Sequence, residues 1–138
     1  MKTVVSLTLF SLLFAALFFQ LPRMLVNPSE GLMSNILNKD VVWGPLRKAR
    51  IGLYIHFGAS PDDSPYAGNS ILETAVIYKD QYFIEKYADI SEDSTLAKSM
   101  SIACVSKNEE AIYALRTIIL ERGMVPECPS RGLESSYQ

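Results

Sequence analysis

Residues Ser101–Gly123, SIACVSKNEEAIYALRTIILERG, carry the clearest structural pattern in the chain. The short apolar run Ser101–Val105 predicts a buried β-strand. Ser106, with Glu109 three residues later, matches a capping box at the start of a helix. We expect that helix to end at Gly123, because glycine is common just past a helix C-terminus. The stretch therefore predicts a strand followed by a helix.

Two segments rich in β-branched and aromatic residues lie upstream of this strand–helix unit. Ile71–Tyr78 and Gln81–Tyr87 each have the composition of a strand, and Lys79-Asp80 stands between them as a turn. This arrangement predicts a β-hairpin. A continuous helix over 71–88 is the competing interpretation.

A further strand is predicted over Ile51–Phe57, where apolar and aromatic residues dominate and Gly58 follows. The next dozen residues, Gly58–Asn69, contain several glycines and prolines and predict a long loop. Loops of this length are functional or mobile. Residues 51–128 are therefore expected to form a small α+β domain with a few antiparallel strands.

The N-terminus carries no charged side chain from Thr3 through Pro22. Twenty helical residues span about 30 Å, the thickness of a bilayer's hydrocarbon core. We therefore expect residues 1–23 to form a single-pass transmembrane anchor and the protein to be localised in a membrane, on a side that the charges leave open. The alternative is a cleaved secretory signal that begins with Lys2. Against it, the apolar run is longer than usual and bulky residues occupy the place of a small-x-small cleavage site.

The chain on either side of the predicted domain has less regular patterns. Residues 24–50 are interpreted as a connector that holds a short amphipathic helix with Ser29 as its N-cap. The apolar residues of that helix recur at helical spacing: Leu32, Met33, Ile36 and Leu37. Residues 129–138 have no apolar period and are interpreted as a tail.

Charge composition limits the classes of partner. The chain has 13 Lys and Arg residues against 15 Asp and Glu residues, with a net charge of −2. A mildly acidic chain without a long basic run is not expected to bind nucleic acid. The densest basic cluster is Arg47, Lys48 and Arg50, and with Trp43 it is the predicted contact for membrane lipid or for other subunits of a membrane complex.

The sequence contains few side chains suited to catalysis or metal binding. His56 is the only histidine, and a lone histidine inside a strand is more often structural than catalytic. With Asp62 and Asp63 in the following loop it forms the one candidate ligand or catalytic site. The loop lacks the alternating acids and the terminal glutamate of an EF-hand. No catalytic residue, cofactor or metal ligand is predicted.

The two cysteines, Cys104 and Cys128, are expected to remain unbridged. A helix of about sixteen residues between them would be about 24 Å long. The five residues Met124–Cys128 span at most about 17 Å on the way back. Two free thiols fit a reducing compartment, although one could pair with another chain.

Three functions remain open on these observations. The first is a non-catalytic, single-pass accessory or assembly subunit of a larger membrane protein complex. The second is a membrane-tethered small enzyme or ligand-binding module that uses the loop near His56. The third is a secreted domain that remains after cleavage of an N-terminal signal.

Overall fold

A computed structural model describes residues 2–18 and 25–128, and no strand occurs among them. The predicted α+β class is therefore wrong, and the described protein is all-helical. In chain order the helices are α1 (Lys2–Phe18), α2 (Pro28–Leu37), α3 (Gly44–His56), α4 (Ile71–Ile77) and α5 (Gln81–Tyr87). A short 3-10 helix (Ala88–Ile90), α6 (Asp93–Val105) and α7 (Glu109–Glu121) follow.

Helix α1 corrects the predicted transmembrane anchor. It has 17 residues, which correspond to about 26 Å at the usual helical rise, less than the hydrocarbon core of about 30 Å. Within residues 2–18 and 25–128, no helix has both the length and the apolar character needed to cross a membrane. The predicted single-pass anchor and the membrane localisation based on it are therefore wrong. Residues 19–24 of the predicted anchor and exit, and the predicted tail 129–138, lie outside the described residues.

The chain divides into two compact units, an N-terminal unit of residues 1–60 and a C-terminal unit of residues 61–138. In the N-terminal unit, α2 packs against α3. The buried apolar side chains of this unit are Leu32, Met33, Ile36, Ile51, Tyr54 and Ala59. The amphipathic helix predicted in the connector is confirmed as α2, but its N-cap is Asn27 and not Ser29.

The strand predicted over Ile51–Phe57 is wrong, because residues 51–56 are the second half of α3. Arg47, Ile51 and Tyr54 are the buried residues of this helix, and their spacing of four and three residues is helical. Gly44-Pro45 forms the first turn of α3. Proline is tolerated there because the first helical N–H groups have no intrahelical partner.

The predicted hairpin is wrong as well, because its two segments are the helices α4 and α5. Ser70 Oγ accepts a hydrogen bond from Glu73 N at 3.2 Å, and Glu73 Oε2 accepts one from Ser70 N at 3.4 Å. This capping box starts α4. Lys79, with a φ of 54°, separates the two helices, so the continuous helix over 71–88 is not formed either. Asp80 Oδ1 then accepts from Phe83 N and caps α5.

The strand predicted over Ser101–Val105 is the last part of α6. Leu96, Met100 and Ala103 are buried along α6 at helical spacing. The five residues after Met100, taken alone, are a mostly apolar run without a visible helical period. The helical period becomes visible only together with the preceding turns of α6, which the strand prediction left out.

Helix α7 confirms the predicted C-terminal helix, and Gly123, which has a φ of 72°, directly follows its C-cap Arg122 as predicted. Its N-cap is Asn108 rather than Ser106. Asn108 Oδ1 accepts from Ala111 N at 3.2 Å, and Asn108 Nδ2 donates to the Val76 carbonyl at 3.3 Å. One buried amide thus both starts α7 and ties it to the end of α4.

In the C-terminal unit, α6 packs against α4 and α7, and α5 packs against α4 and α7. Their buried apolar side chains are Ile71, Leu72, Ala75, Val76, Phe83, Ile84, Ala88, Leu96, Met100, Ala103, Ala111, Leu115 and Ile119. Arg122, just after α7, donates to Asp93 Oδ1 at 2.8 Å and to the Ser91 and Asp89 carbonyls. The end of α7 therefore lies beside the start of α6, and the two helices are antiparallel.

This antiparallel pair explains the disulfide between Cys104 and Cys128, whose Cα atoms are 5.6 Å apart. The expectation of two free thiols is wrong because α7 ends at Glu121 and leaves Arg122–Cys128 for the return. The return runs from the start of α6 to Cys104, about 17 Å along the helix axis. Seven extended residues span up to about 23 Å, so they reach it.

Candidate functional site

A polar pocket of about 210 Å³ lies between α2 and α3 in the N-terminal unit. Its polar lining is contributed by Ser34, Asn35 and Asn38 from α2 and its C-cap, and by Arg50 and Tyr54 from α3. Helical spacing brings these groups together, since positions 34 and 38, and positions 50 and 54, are each one turn apart.

The side chain of Asn35 is the most informative group in this pocket. Asn35 is 8% exposed, and its Nδ2 donates to the Gly31 carbonyl at 2.9 Å. That bond fixes the orientation of the amide, because only the nitrogen can donate. Oδ1 is buried and accepts no hydrogen bond from the described residues. A buried acceptor without a partner costs about 1–3 kcal/mol.

Two buried side chains of α3 contact α2 beside the pocket. Arg47 is 6% exposed, and its Nε donates to the Asn35 backbone carbonyl at 3.1 Å, which links α3 to α2. Tyr54 is 1% exposed and lies against Gly31, where a Cβ atom would overlap its ring. The pocket wall is thus built on a close approach of the two helices.

Arg50 gives the pocket its charge. The residue is half-buried and is the one lining residue with a formal charge at neutral pH. The residues that line the pocket include no aspartate or glutamate. The formal charge of the lining side chains is therefore +1.

The predicted cluster of basic residues and Trp43 is distributed over four environments. Arg47 is buried, Lys48 is exposed and Arg50 lines the polar pocket. Trp43, at the N-cap of α3, is 62% exposed. It lines an apolar pocket of about 340 Å³ together with Leu9, Leu12, Leu13 and Leu46. Contact of this cluster with a lipid or a protein partner stays a prediction.

The candidate site around His56 is divided between the two units. His56 is the exposed last residue of α3, and its ring meets the Phe57 ring edge to face with centroids 5.5 Å apart. Asp62 belongs to the C-terminal unit, where its two carboxylate oxygens accept from Glu92 N at 3.0 and 3.2 Å. Glu92 is the N-cap of α6, so Asp62 supports the start of that helix.

The segment around Asp63 has a similar local role at the start of α4. The Asp63 carbonyl accepts from Ile71 N, and the Pro61 carbonyl accepts from Leu72 N, both at 2.9 Å. The first N–H groups of a helix have no intrahelical partner. The loop satisfies them, which gives its backbone a structural role in the C-terminal unit.

Sequence reasoning missed the contribution of α2 to the site. The available signal was Asn35, a polar residue directly before Ile36 on the apolar face of the helix. A polar residue on the buried face of an amphipathic helix is unusual and needs a partner.

The described part of the chain contains no group of three or more His, Cys, Asp or Glu side chains placed to hold a metal ion. Comparison with known proteins adds no homologue: no protein-family model, no curated protein and no solved structure matches this chain. The function therefore has to be argued from the pocket itself.

Proposed function

We propose that this protein is a non-catalytic binding protein whose binding site is the polar pocket between α2 and α3. The observation that carries the proposal is the convergence of Ser34, Asn35 and Asn38 from α2 with Arg50 and Tyr54 from α3 on one pocket of about 210 Å³. A bound ligand with polar groups would exchange hydrogen bonds with the hydroxyl, amide and guanidinium groups of this lining.

The chemistry of the lining supports binding rather than catalysis. Its polar groups are amides, hydroxyls and one guanidinium. General acid–base catalysis works best with a group whose pKa is close to the operating pH. Amides and guanidinium do not exchange protons in that range, but they orient a ligand through hydrogen bonds.

This proposal combines features of the first two functions that the sequence left open. It retains a non-catalytic role and a ligand-binding role, and it moves the site from the loop near His56 to the pocket beside Arg50. The proposal needs no membrane-spanning segment.

A second observation, the disulfide, indicates the compartment in which the protein works. The disulfide between Cys104 and Cys128 is of the kind that persists in oxidising compartments, such as the secretory pathway, the periplasm or the extracellular space. It favours the third sequence hypothesis, a secreted protein, with the apolar N-terminal run as the export signal. The binding protein is then one that works outside the cytosol.

Binding is tested with a panel of small probes on the full chain. The ¹⁵N-labelled protein is titrated with acetate, N-methylacetamide, methylammonium and N-acetyl-L-alanine, and the side-chain NH₂ signals of Asn35 are followed by NMR. We expect at least one probe to shift these signals saturably while the signals of Asn69, an exposed amide of the C-terminal unit, stay fixed. If no probe shifts the Asn35 signals, the pocket is not a binding site.

The compartment is tested separately by trapping thiols in cells. Cells that make the full chain are quenched in acid, and free thiols are alkylated with a polyethylene glycol maleimide before and after reduction. We expect no label before reduction and two labels after it. Two labels before reduction would place the protein in a reducing compartment. N-terminal sequencing of the material recovered outside the cytosol would show whether the apolar run has been removed.

A further inference from the structure

A short segment of the C-terminal unit is fastened to α6 by the disulfide between Cys104 and Cys128. This segment, residues 124–128, has no regular secondary structure, and we call it the strap. A cavity of about 160 Å³ lies between the strap and the two helices α6 and α7. The helices line it with Ala97, Met100, Ser101 and Ile119, and the strap lines it with Met124, Val125 and Glu127. The strap therefore covers part of the groove between α6 and α7.

Apart from the disulfide, few interactions hold the strap in place. Met124 N donates to the Ile119 carbonyl at 3.0 Å. Among the described residues, no backbone hydrogen bond joins residues 125–128 to another part of the chain. Of the side chains in the strap, those of Met124 and Pro126 are half-buried and the others are exposed. The disulfide is therefore the main attachment of the strap to the helices.

The groove under the strap is apolar, and the helices that form it have other contacts. Met100 is 2% exposed and Ile119 is 1% exposed, and both line the cavity. Helices α6 and α7 pack directly on each other, while α6 also packs on α4 and α7 on α5. Arg122 adds a hydrogen bond to Asp93 at the start of α6. These contacts do not involve the strap, so the helices are expected to stay folded when the strap leaves.

One sulfur of the disulfide is accessible to a reductant, because Cys128 is exposed whereas Cys104 is half-buried. A thiolate of a dithiol attacks Cys128 Sγ and forms a mixed disulfide there. The electron pair of the broken S–S bond goes to Cys104 Sγ, which takes up a proton. The second thiolate of the dithiol then closes a cyclic disulfide and releases Cys128 as a thiolate. The protein gains two electrons, and the dithiol is oxidised by the same number.

We propose that the strap is a redox-operated lid over the groove between α6 and α7. The lid is closed while the disulfide is intact, which is the state that persists in oxidising compartments. Reduction by a dithiol releases the strap and exposes Met100 and Ile119 to solvent. The protein thus presents an additional apolar surface under reducing conditions. This device lies in the C-terminal unit and is independent of the polar pocket between α2 and α3.

The test follows the methionine methyl groups of the full chain by NMR, with a soluble gadolinium chelate that broadens the signals of exposed groups. We expect the Met100 methyl signal to be protected in the oxidised protein and to broaden severalfold more after treatment with dithiothreitol. Met33, which is 3% exposed in the N-terminal unit, is the internal control and should stay protected in both states. Far-UV circular dichroism should be the same in both states, because the helices are retained.

A double variant separates loss of the bond from other effects of the reductant. The combined change Cys104→Ser and Cys128→Ser should broaden the Met100 signal without dithiothreitol, and adding dithiothreitol should change nothing further. Removing dithiothreitol from the wild type and reoxidising it should restore the protection of Met100. Mass spectrometry after alkylation of free thiols establishes which redox state each sample is in.

Three results would overturn the proposal. Met100 that stays protected in the reduced protein would show that noncovalent contacts keep the strap in place. Loss of helical signal in both the reduced wild type and the double variant would show that the disulfide is needed for the fold itself. A disulfide that dithiothreitol reduces only in denaturant would show that the bond is closed to thiol exchange in the folded protein.

Discussion

Gly31 of α2 and Tyr54 of α3 are in such close contact that a Cβ atom on the glycine would overlap the Tyr54 ring. Both residues are buried, and Tyr54 is 1% exposed. The Gly31 carbonyl also accepts from Asn35 Nδ2. Gly31 therefore both packs against α3 and accepts the hydrogen bond that orients the Asn35 amide.

Gly31→Ala is expected to destabilise the N-terminal unit and to abolish ligand binding. Overpacking of this kind costs about 1–3 kcal/mol, because the Tyr54 ring has to leave its buried position. Urea denaturation followed by far-UV circular dichroism measures the loss. Gly44→Ala is the matched control, since a Cβ there meets nothing within 4 Å. A Gly31→Ala protein as stable as the wild type would contradict the packing of α2 on α3.

The disulfide is expected to stabilise the C-terminal unit by about 3.5 kcal/mol, as the chain-entropy relation gives for a loop of this length. Cys104 and Cys128 are 24 residues apart. The double change Cys104→Ser and Cys128→Ser should lower the free energy of unfolding by that amount, as should dithiothreitol on the wild type. Dithiothreitol should have no effect on the double variant. Equal stability of the oxidised and reduced wild type would overturn the expectation.

Ser99→Ala is expected to stabilise the protein by about 1 kcal/mol. Ser99 is 0% exposed, and its Oγ has no hydrogen-bond partner among the described residues. Removing the hydroxyl removes an unsatisfied buried group. Ser101→Ala on the same helix is the comparison, because it makes the same change in helix propensity but removes a hydroxyl that is satisfied, Ser101 Oγ donating to the Ala97 carbonyl at 3.1 Å. A loss of stability in Ser99→Ala, relative to this control, would show that the hydroxyl is bonded.

Tyr87 is expected to make stability depend on pH in the alkaline range. Burial raises the pKa of Tyr87 from 10.0 to about 12, and the charge and hydrogen bond of Tyr82 add to the shift. The folded state thus holds the proton more tightly than the unfolded state does. The stabilisation is fully present below pH 10.0 and is lost as the pH rises through about 12.

The measurement is urea denaturation at about pH 9 and about pH 11, on either side of the unfolded pKa of tyrosine. Wild type should lose more stability between the two conditions than Tyr87→Phe, which lacks the titrating group. Absorbance of tyrosinate gives an independent check, since the ionisation near pH 12 that belongs to Tyr87 should be missing from the variant. Identical pH dependence in the two proteins would contradict the raised pKa.

Several elements could be predicted because their information is local. The apolar period and the acidic first turn of α7 specify a helix, and Gly123 specifies its end. The apolar spacing in 28–37 likewise identifies α2. The segments 71–78 and 81–87 were misassigned because their strand-like composition outweighed the Ser70 and Asp80 caps, which specify helices.

The candidate site could not be predicted in the same way. His56 and Asp62 are near in sequence, but they fall in different units and Asp62 supports the start of a helix. Asn35 and Arg50 are fifteen positions apart and meet only because α2 packs on α3. Of the residues predicted from sequence, Arg50 alone lies in the polar pocket.

The sequence by itself determined which segments are amphipathic and where α7 ends, because those properties depend on side chains within a turn or two of one another. Only the tertiary structure decided the pairing of the cysteines and the position of the pocket. The antiparallel arrangement of α6 and α7 allows the bridge between Cys104 and Cys128, and the approach of Tyr54 to Gly31 creates the pocket beside Asn35. These features depend on distances between helices, and the packing of side chains from distant parts of the chain sets those distances.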